Sequence, residues 1–189
     1  CVETLHTHGI TTKSNLLKKM EKYIDELWAA MREYGRLGIA DQIDYQKFHI
    51  YSIITHSTAI EGSTVTEIEN SLLFDEGIAA KGRPMVEQLM NLDLKRAYEQ
   101  AIAWAKEHRP ISVGMLKSLS ALVMRNTGGN ISSVAGDFDS SEGDLRLVGV
   151  TAGAGGRSYM DYHKVPAKLQ ELCDHVNQRR EALMRRHDD

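Results

Sequence analysis

Ser57 and Glu61 stand four residues apart, with Gly62 directly behind, in the run Ser57-Thr58-Ala59-Ile60-Glu61-Gly62. On a helix that spacing puts a hydroxyl and a carboxylate on one face, and the glycine closes the turn at the helix end. An arginine or a nucleotide phosphate could be read at such a place. The same residues also make an ordinary helix C-terminus, with Gly62 as its cap residue and Glu61 in solvent. The pattern of Ser or Thr, three residues, Glu, then Gly or Asn occurs once in the 189 residues.

Other residues of chemical interest lead less far. The glycine-rich Thr151-Ala152-Gly153-Ala154-Gly155-Gly156-Arg157 lacks the helix that must open directly after a phosphate loop, and an extended segment follows it, so it reads as a hairpin tip. The eight histidines are scattered; His6/His8 and His49/His56 are close in sequence but have no third ligand at zinc spacing, and surface or helix-end positions suit them better. Cys1 and Cys173 give neither a disulfide framework nor a metal spacing, which suits a reducing cytoplasm. No zinc site and no Ser-His-Asp or Cys-His nucleophile is expected.

The elements that position these residues follow from apolar periodicity. Residues 1–13 are polar, carry no period and read as a loose arm. From Ser14 to Arg36 the residues Leu17, Met20, Tyr23, Ile24, Leu27, Trp28, Met31 and Tyr34 recur at three and four, predicting a helix with one buried face that ends at Gly35 and Gly38. A second helix is expected from about Asp41 to Ser57, with Ile43, Phe48, Tyr51 and Ile54 toward the core. Thr66 and Glu69 have capping-box spacing for a short helix through Leu72, Leu73 and Phe74 that Gly77 stops. After Pro84, a long helix reaches about His108 and breaks at Pro110. Ser112 caps the next, which ends at Gly128-Gly129.

From Asn130 to Arg157 glycine, serine and aspartate exclude a stable helix. Leu145 to Val150 is a strand candidate, and Ser158-Tyr159-Met160 returns beside it as a hairpin. A last helix runs from about Lys164 to Arg186 with Pro166 in its first turn. The fold class expected is mainly α, about six helices around one core with a small β-hairpin.

Composition is that of a globular chain, 42% hydrophobic and 26% charged, with a net charge of −3. That charge argues against a general nucleic-acid binder, although Arg179, Arg180, Arg185 and Arg186 make the last helix locally basic. No apolar run is long enough for a membrane span and no leader is evident, which predicts a soluble, cytoplasmic protein without a membrane partner. The chain opens on Cys1 and stops at Asp188-Asp189 after an amphipathic pattern, as a piece of a longer protein would.

Thr58-Ala59-Ile60-Glu61-Gly62-Ser63-Thr64 with Thr66-Glu67-Ile68 resembles the inhibitory helix and following turn of Fic-family AMP-transferases that carry their inhibitor before the catalytic core. Met90-Asn91-Leu92 with Ala97-Tyr98 and Ala101 is similar to the first long helix of that core, and Ile111-Ser112-Val113 with Leu116 to the next. Leu145 to Val150 resembles the family's flap, whose edge receives the target protein. Val165-Pro166-Ala167-Lys168-Leu169-Gln170-Glu171-Leu172 resembles the helix that follows the flap. The similarity spans roughly residues 45–180. It divides the chain into residues 14–80, N-terminal helices that include the inhibitory one, and 81–189, the first part of the core with a flap at about 144–162.

The resemblance implies transfer of AMP from ATP, with Mg, to a hydroxyl of a target protein. The family's motif for that step, His-x-Phe/Pro-x-Asp/Glu-Gly-Asn-Gly-Arg-x-x-Arg, is not among these residues, so no catalytic or metal residue is assigned here. Ser57, Glu61 and Gly62 are the inhibitory residues it implies, with Glu61 pairing the motif's last arginine. Leu147, Val148, Gly149, Val150, Tyr159 and Met160 are the implied target-binding flap. At Gly136-Asp137-Phe138-Asp139 the chain departs from the family's Gly-x-Tyr/Phe-Arg, since Asp139 stands in place of the arginine. A non-catalytic helical adaptor that binds a protein partner is the competing reading, and homo-oligomer formation stays open in both.

Overall fold

The computed structural model describes residues 3–38, 44–153 and 155–187, and side chains within 19–185 of these. The chain is mainly α with one small antiparallel hairpin, as the periodicity predicts. Its helices are α1 (Glu3–Arg36), α2 (Tyr45–Ile60), α3 (Glu67–Glu76), α4 (Met85–Lys106), α5 (Val113–Met124) and α6 (Val165–His187), and its strands β1 (Asn130–Ser133) and β2 (Gly136–Asp139). Two compact units divide it, Cys1–Phe48 and His49–Asp189. Around residue 80, within the second unit, the chain is tied into α4. Gln88 reaches back with Oε1 accepting from the Ala80 amide at 2.7 Å and Nε2 donating to the carbonyls of Ala80 and Arg83.

The first unit is dominated by the 34-residue α1. Residues 3–13, expected to be a loose arm, are helical: once a helix is nucleated each added residue brings a backbone hydrogen bond, so the face set by Leu17 to Tyr34 can carry an aperiodic stretch with it. The helix ends where its glycines predict, with Gly38 in the left-handed region at φ 64°. The face expected to be buried is instead about half exposed at Met20, Tyr23, Ile24, Leu27, Trp28 and Met31. Tyr34 is covered edge-on by Tyr45 at 5.7 Å. The expected start of the second helix at Asp41, and Ile43, lie outside the described residues; Asp44 caps α2 by accepting from the Lys47 amide at 2.9 Å.

In the second unit several helix ends match their sequence signals. Thr66 and Glu69 form the reciprocal capping box of α3, and Gly77 stops it in the left-handed conformation. Ser112 caps α5 through the Met115 amide. Pro84 sits one residue before α4, at its cap position. The interior is unusually polar: Ile54, Val65, Leu73, Ala97, Phe138 and Cys173 are buried alongside Thr55, Thr58, Ser63, Asn70, Gln88, Asn91 and Asp93.

Long-range polar ties hold α4, α5 and α6. Asp93, fully buried, accepts from the Asn126 amide at 2.9 Å and from the Asn126 side chain, and Arg96 donates to it at 3.2 Å, which anchors the segment just after α5 to α4. Asn177 of α6 pairs in both directions with the backbone of Ile111. Gly143 lets the turn after β2 close on α5, since a Cβ there would lie 2.1 Å from the Lys117 carbonyl oxygen.

The sheet lies where sequence reasoning left a loop. β1 and β2 pair antiparallel, Asn130 opposite Asp139 and Ser133 opposite Gly136. The strand expected at Leu145 to Val150 does not form; among the described residues one bridge, Thr151 to Ser158, joins that segment to its return. The reason is where its carbonyls go. Ser133 Oγ donates to the Gly136 carbonyl at 2.8 Å or to the Leu147 carbonyl at 3.0 Å, and the Arg146 guanidinium donates to the carbonyls of Val148 and Met160. Side chains hold the two limbs together in place of a ladder.

Candidate functional site

The end of α2 is built on threonine, not on Ser57. The Glu61 and Gly62 amides donate to the carbonyls of Thr58 and Ala59 at 3.1 Å each, and the Ser63 amide returns to Thr58 at 3.0 Å. Gly62 has φ 98°, a left-handed value that a side chain would strain. Glu61 and Gly62 are exposed and Ser57 is half-buried. Among the described residues no hydrogen bond joins Ser57 to Glu61, and Glu61 forms no ion pair.

Beneath that exposed carboxylate lies a buried polar network. Thr58 Oγ1 donates to Asn91 Oδ1 at 2.8 Å or to the Ile54 carbonyl at 3.0 Å. Asn70 Nδ2 donates to Asn91 Oδ1 at 2.9 Å and to Thr55 Oγ1 at 2.8 Å. Asn91 Nδ2 donates to Ser63 Oγ at 3.1 Å and to the Glu87 carbonyl at 2.8 Å. Asn70 Oδ1 is buried with no hydrogen-bond partner among the described residues. Buried amides bonded in this way fix the relative positions of the helices that carry them, because an alternative placement leaves further polar groups dry and unpaired. α2, α3 and α4 are thus locked around the turn at 61–66.

Two carboxylates pin the outer side of the same turn. Glu87 Oε2 accepts from the Thr64 amide at 2.6 Å and its hydroxyl at 2.8 Å, and these bonds hold Glu87 below the usual carboxylate range. Glu69 accepts from the Thr66 amide and from the Arg83 guanidinium, and the amide first, then Arg83, bring its pKa from 4.5 to about 2. Both carboxylates are therefore fixed anions at neutral pH. Glu61 stands outside them, anchored through the backbone of a rigid turn.

The network residues Thr55, Thr58, Ser63, Asn70 and Asn91, with Glu87, were not singled out from sequence as a site. The one signal was Asn91, a polar residue set between Met90 and Leu92.

The expected flap residues divide into a seated and an exposed set. Leu147 is half-buried, while Val148, Gly149, Val150, Tyr159 and Met160 are exposed. The Tyr159 amide donates to the Val150 carbonyl at 3.0 Å and the Ala152 amide to the Arg157 carbonyl at 3.1 Å, so the limbs meet near the glycine-rich tip. Gly153 and Gly155 are in the left-handed region there, as a hairpin tip requires. Asp139 acts locally, its carboxylate accepting from the Ser141 amide at 2.8 Å and capping the short 3₁₀ turn Ser140–Glu142.

Among the described residues no group of three His, Cys, Asp or Glu side chains is placed to hold a metal ion, and no helix is long and apolar enough to cross a membrane. An apolar cavity of about 360 Å³ lies against α4, α5 and α6, walled by Trp104, Ile111, Met115, Leu116 and Leu119 with Arg180 beside it. No protein-family model matches the chain, and no curated protein sequence matches it.

Proposed function

We propose that this chain carries the inhibitory turn and the target-binding flap of a Fic-type protein AMP-transferase, with Glu61 standing in for the outermost phosphate of ATP. The observation that carries the reading is the exposed Glu61 carboxylate, without an ion pair among the described residues, at the C-terminus of α2 on a turn locked by buried amides. An arginine–carboxylate pair uses the same bidentate donors that would grip a phosphate, so one excludes the other. The turn's rigidity supports this role, because a competitor held in place loses little entropy when it pairs. Ser57, half-buried one turn earlier, is the residue this reading assigns to support the same site once the arginine is bound.

The residues that hold ATP and Mg in that family are not among these 189, and no step of the transfer is assigned to this chain. The exposed Val148, Val150, Tyr159 and Met160 offer an apolar grip for an extended target segment, with backbone pairing as the common element. In the full-length protein, Glu61→Gly should release labelling of the target from ATP carrying a tagged α-phosphate. Unchanged labelling would remove the inhibitory role. Val148→Pro should lower target labelling while ATP binding is kept, and equal loss of both would contradict the flap assignment.

The same exposed limb favours the second reading, a non-catalytic adaptor that docks a protein partner there. The coding sequence beyond Asp189 separates the two: the His-x-x-x-Asp/Glu-Gly-Asn-Gly-Arg run within a few dozen codons marks the transferase, and its absence the adaptor.

A further inference from the structure

The cavity against α4, α5 and α6 has walls of one chemical kind and an edge of another. Trp104 of α4, Ile111, and Met115, Leu116 and Leu119 of α5 make the walls, and the charged side chains lining it are Arg109 and Arg180. Among the described residues no acid lines it. Its volume of about 360 Å³ stands at the lower end of the roughly 300–1,000 Å³ of small-molecule sites.

The end of α4 builds the edge. His108 is left-handed at φ 53°, and the Arg109 amide returns to the Trp104 carbonyl at 3.2 Å, so the chain turns back against the helix it leaves. α6 closes the other side: Asn177 pairs in both directions with the Ile111 backbone, and Arg180 Nη1 donates to the Arg109 carbonyl at 3.0 Å. The two arginines then differ. Arg109 is exposed and its charge is matched by Glu107. Arg180 is half-buried and forms no ion pair among the described residues, and its Nε and Nη2 have no acceptor there.

We propose that this cavity binds a medium-chain fatty carboxylate, with the alkyl chain against Trp104, Met115, Leu116 and Leu119 and the carboxylate on Arg180. Hydrogen-bonding character selects the head group. Apart from the weak Met115 thioether, the polar side chains around the cavity carry donors only, and the Arg109 and Ile111 carbonyls are already taken by Arg180 and Asn177. A peptide segment would bring N–H groups with no acceptor to meet them. A carboxylate brings acceptors and the opposite charge. The volume suits one alkyl chain, not the two of a phospholipid. The site stands on α4, α5 and α6 and is independent of the role given to Glu61.

Trp104 can report occupancy. In a Trp28→Phe background it is the one tryptophan of the chain, and titration with decanoate below its micelle-forming concentration should shift its emission to saturation at one per chain. Decanol, with the same tail and no charge, should bind about tenfold more weakly, the factor that one charge-assisted hydrogen bond brings. Arg180→Gln, which can still donate to the Arg109 carbonyl, should make the two affinities nearly equal, whereas Arg180→Lys should keep the preference; circular dichroism checks that both variants are folded. No saturable shift, decanol bound as tightly as decanoate, or an unchanged preference in folded Arg180→Gln would each overturn the proposal. So would a shift caused by phosphatidylglycerol vesicles and not by decanoate, which gives the site to a membrane, or one that follows the chain's own concentration, which gives it to a second copy.

Discussion

Replacing Asn91 with alanine tests whether the polar network under the Glu61 turn holds the helices in place. The Asn91 side chain accepts from Thr58 and Asn70 and donates to Ser63 and the Glu87 carbonyl, and it is fully buried. The four bonds do not weigh equally. Thr58 Oγ1 keeps the Ile54 carbonyl at 3.0 Å as an acceptor. The Glu87 carbonyl keeps its place in the helix, and Ser63 Oγ still accepts from the Val65 amide at 3.3 Å. Asn70 is left worst, because one N–H of its Nδ2 loses its acceptor while its Oδ1 already lacks a partner among the described residues.

One orphaned buried donor costs about 1–3 kcal/mol, and the void left by an amide adds about 1 kcal/mol. A loss of about 2–4 kcal/mol is therefore expected, a large share of a stability of roughly 5–15 kcal/mol. Urea unfolding followed by circular dichroism should show an earlier midpoint with an unchanged slope. Asn91→Asp should lose at least as much, since a carboxylate then faces the Glu87 carbonyl. In a double-mutant cycle with Thr58→Val, the pair should couple by about 0.5–3 kcal/mol. A loss below about 0.5 kcal/mol for Asn91→Ala, or a coupling of zero, would refute the claim that this network fixes the turn.

Two further outcomes follow from the same structure. The pKa of Glu69 is lower in the folded chain than in the unfolded one, so its contribution is complete above 4.5 and disappears as pH falls toward about 2. Glu69→Gln should flatten the stability profile in that window and leave its shape near neutral pH alone; parallel acid curves for parent and variant would contradict this. Asp93→Ala removes the buried acceptor for the Asn126 amide and side chain, and should lower stability by about 3 kcal/mol in the same urea assay.

The elements with local signals were legible in the sequence. Thr66 and Glu69 announce a capping box, Gly77 a left-handed stop and Ser112 a cap, and each acts through atoms within a few residues. The sheet was not legible, because Asn130–Ser133 and Gly136–Asp139 are mostly polar and pair without burying an alternating face. The opposite error at Leu145 to Val150 has the same origin: β-branched residues predict a strand, but Arg146 and Ser133 take the carbonyls that a ladder would need. Helical periodicity in α1 fixed which face is apolar without fixing what covers it. At the candidate site, the spacing of Ser57, Glu61 and Gly62 located the turn, whereas the residues that hold it come from three helices and meet only in the folded chain.

The inhibitory role of Glu61 is tested most directly by grading its charge in the full-length protein. Target labelling from ATP should rise in the order parent, Glu61→Gln, Glu61→Gly, since glutamine keeps the shape but not the anion and glycine removes both. Equal labelling in all three, with the proteins equally folded, would mean that no arginine is being held from its phosphate by this carboxylate.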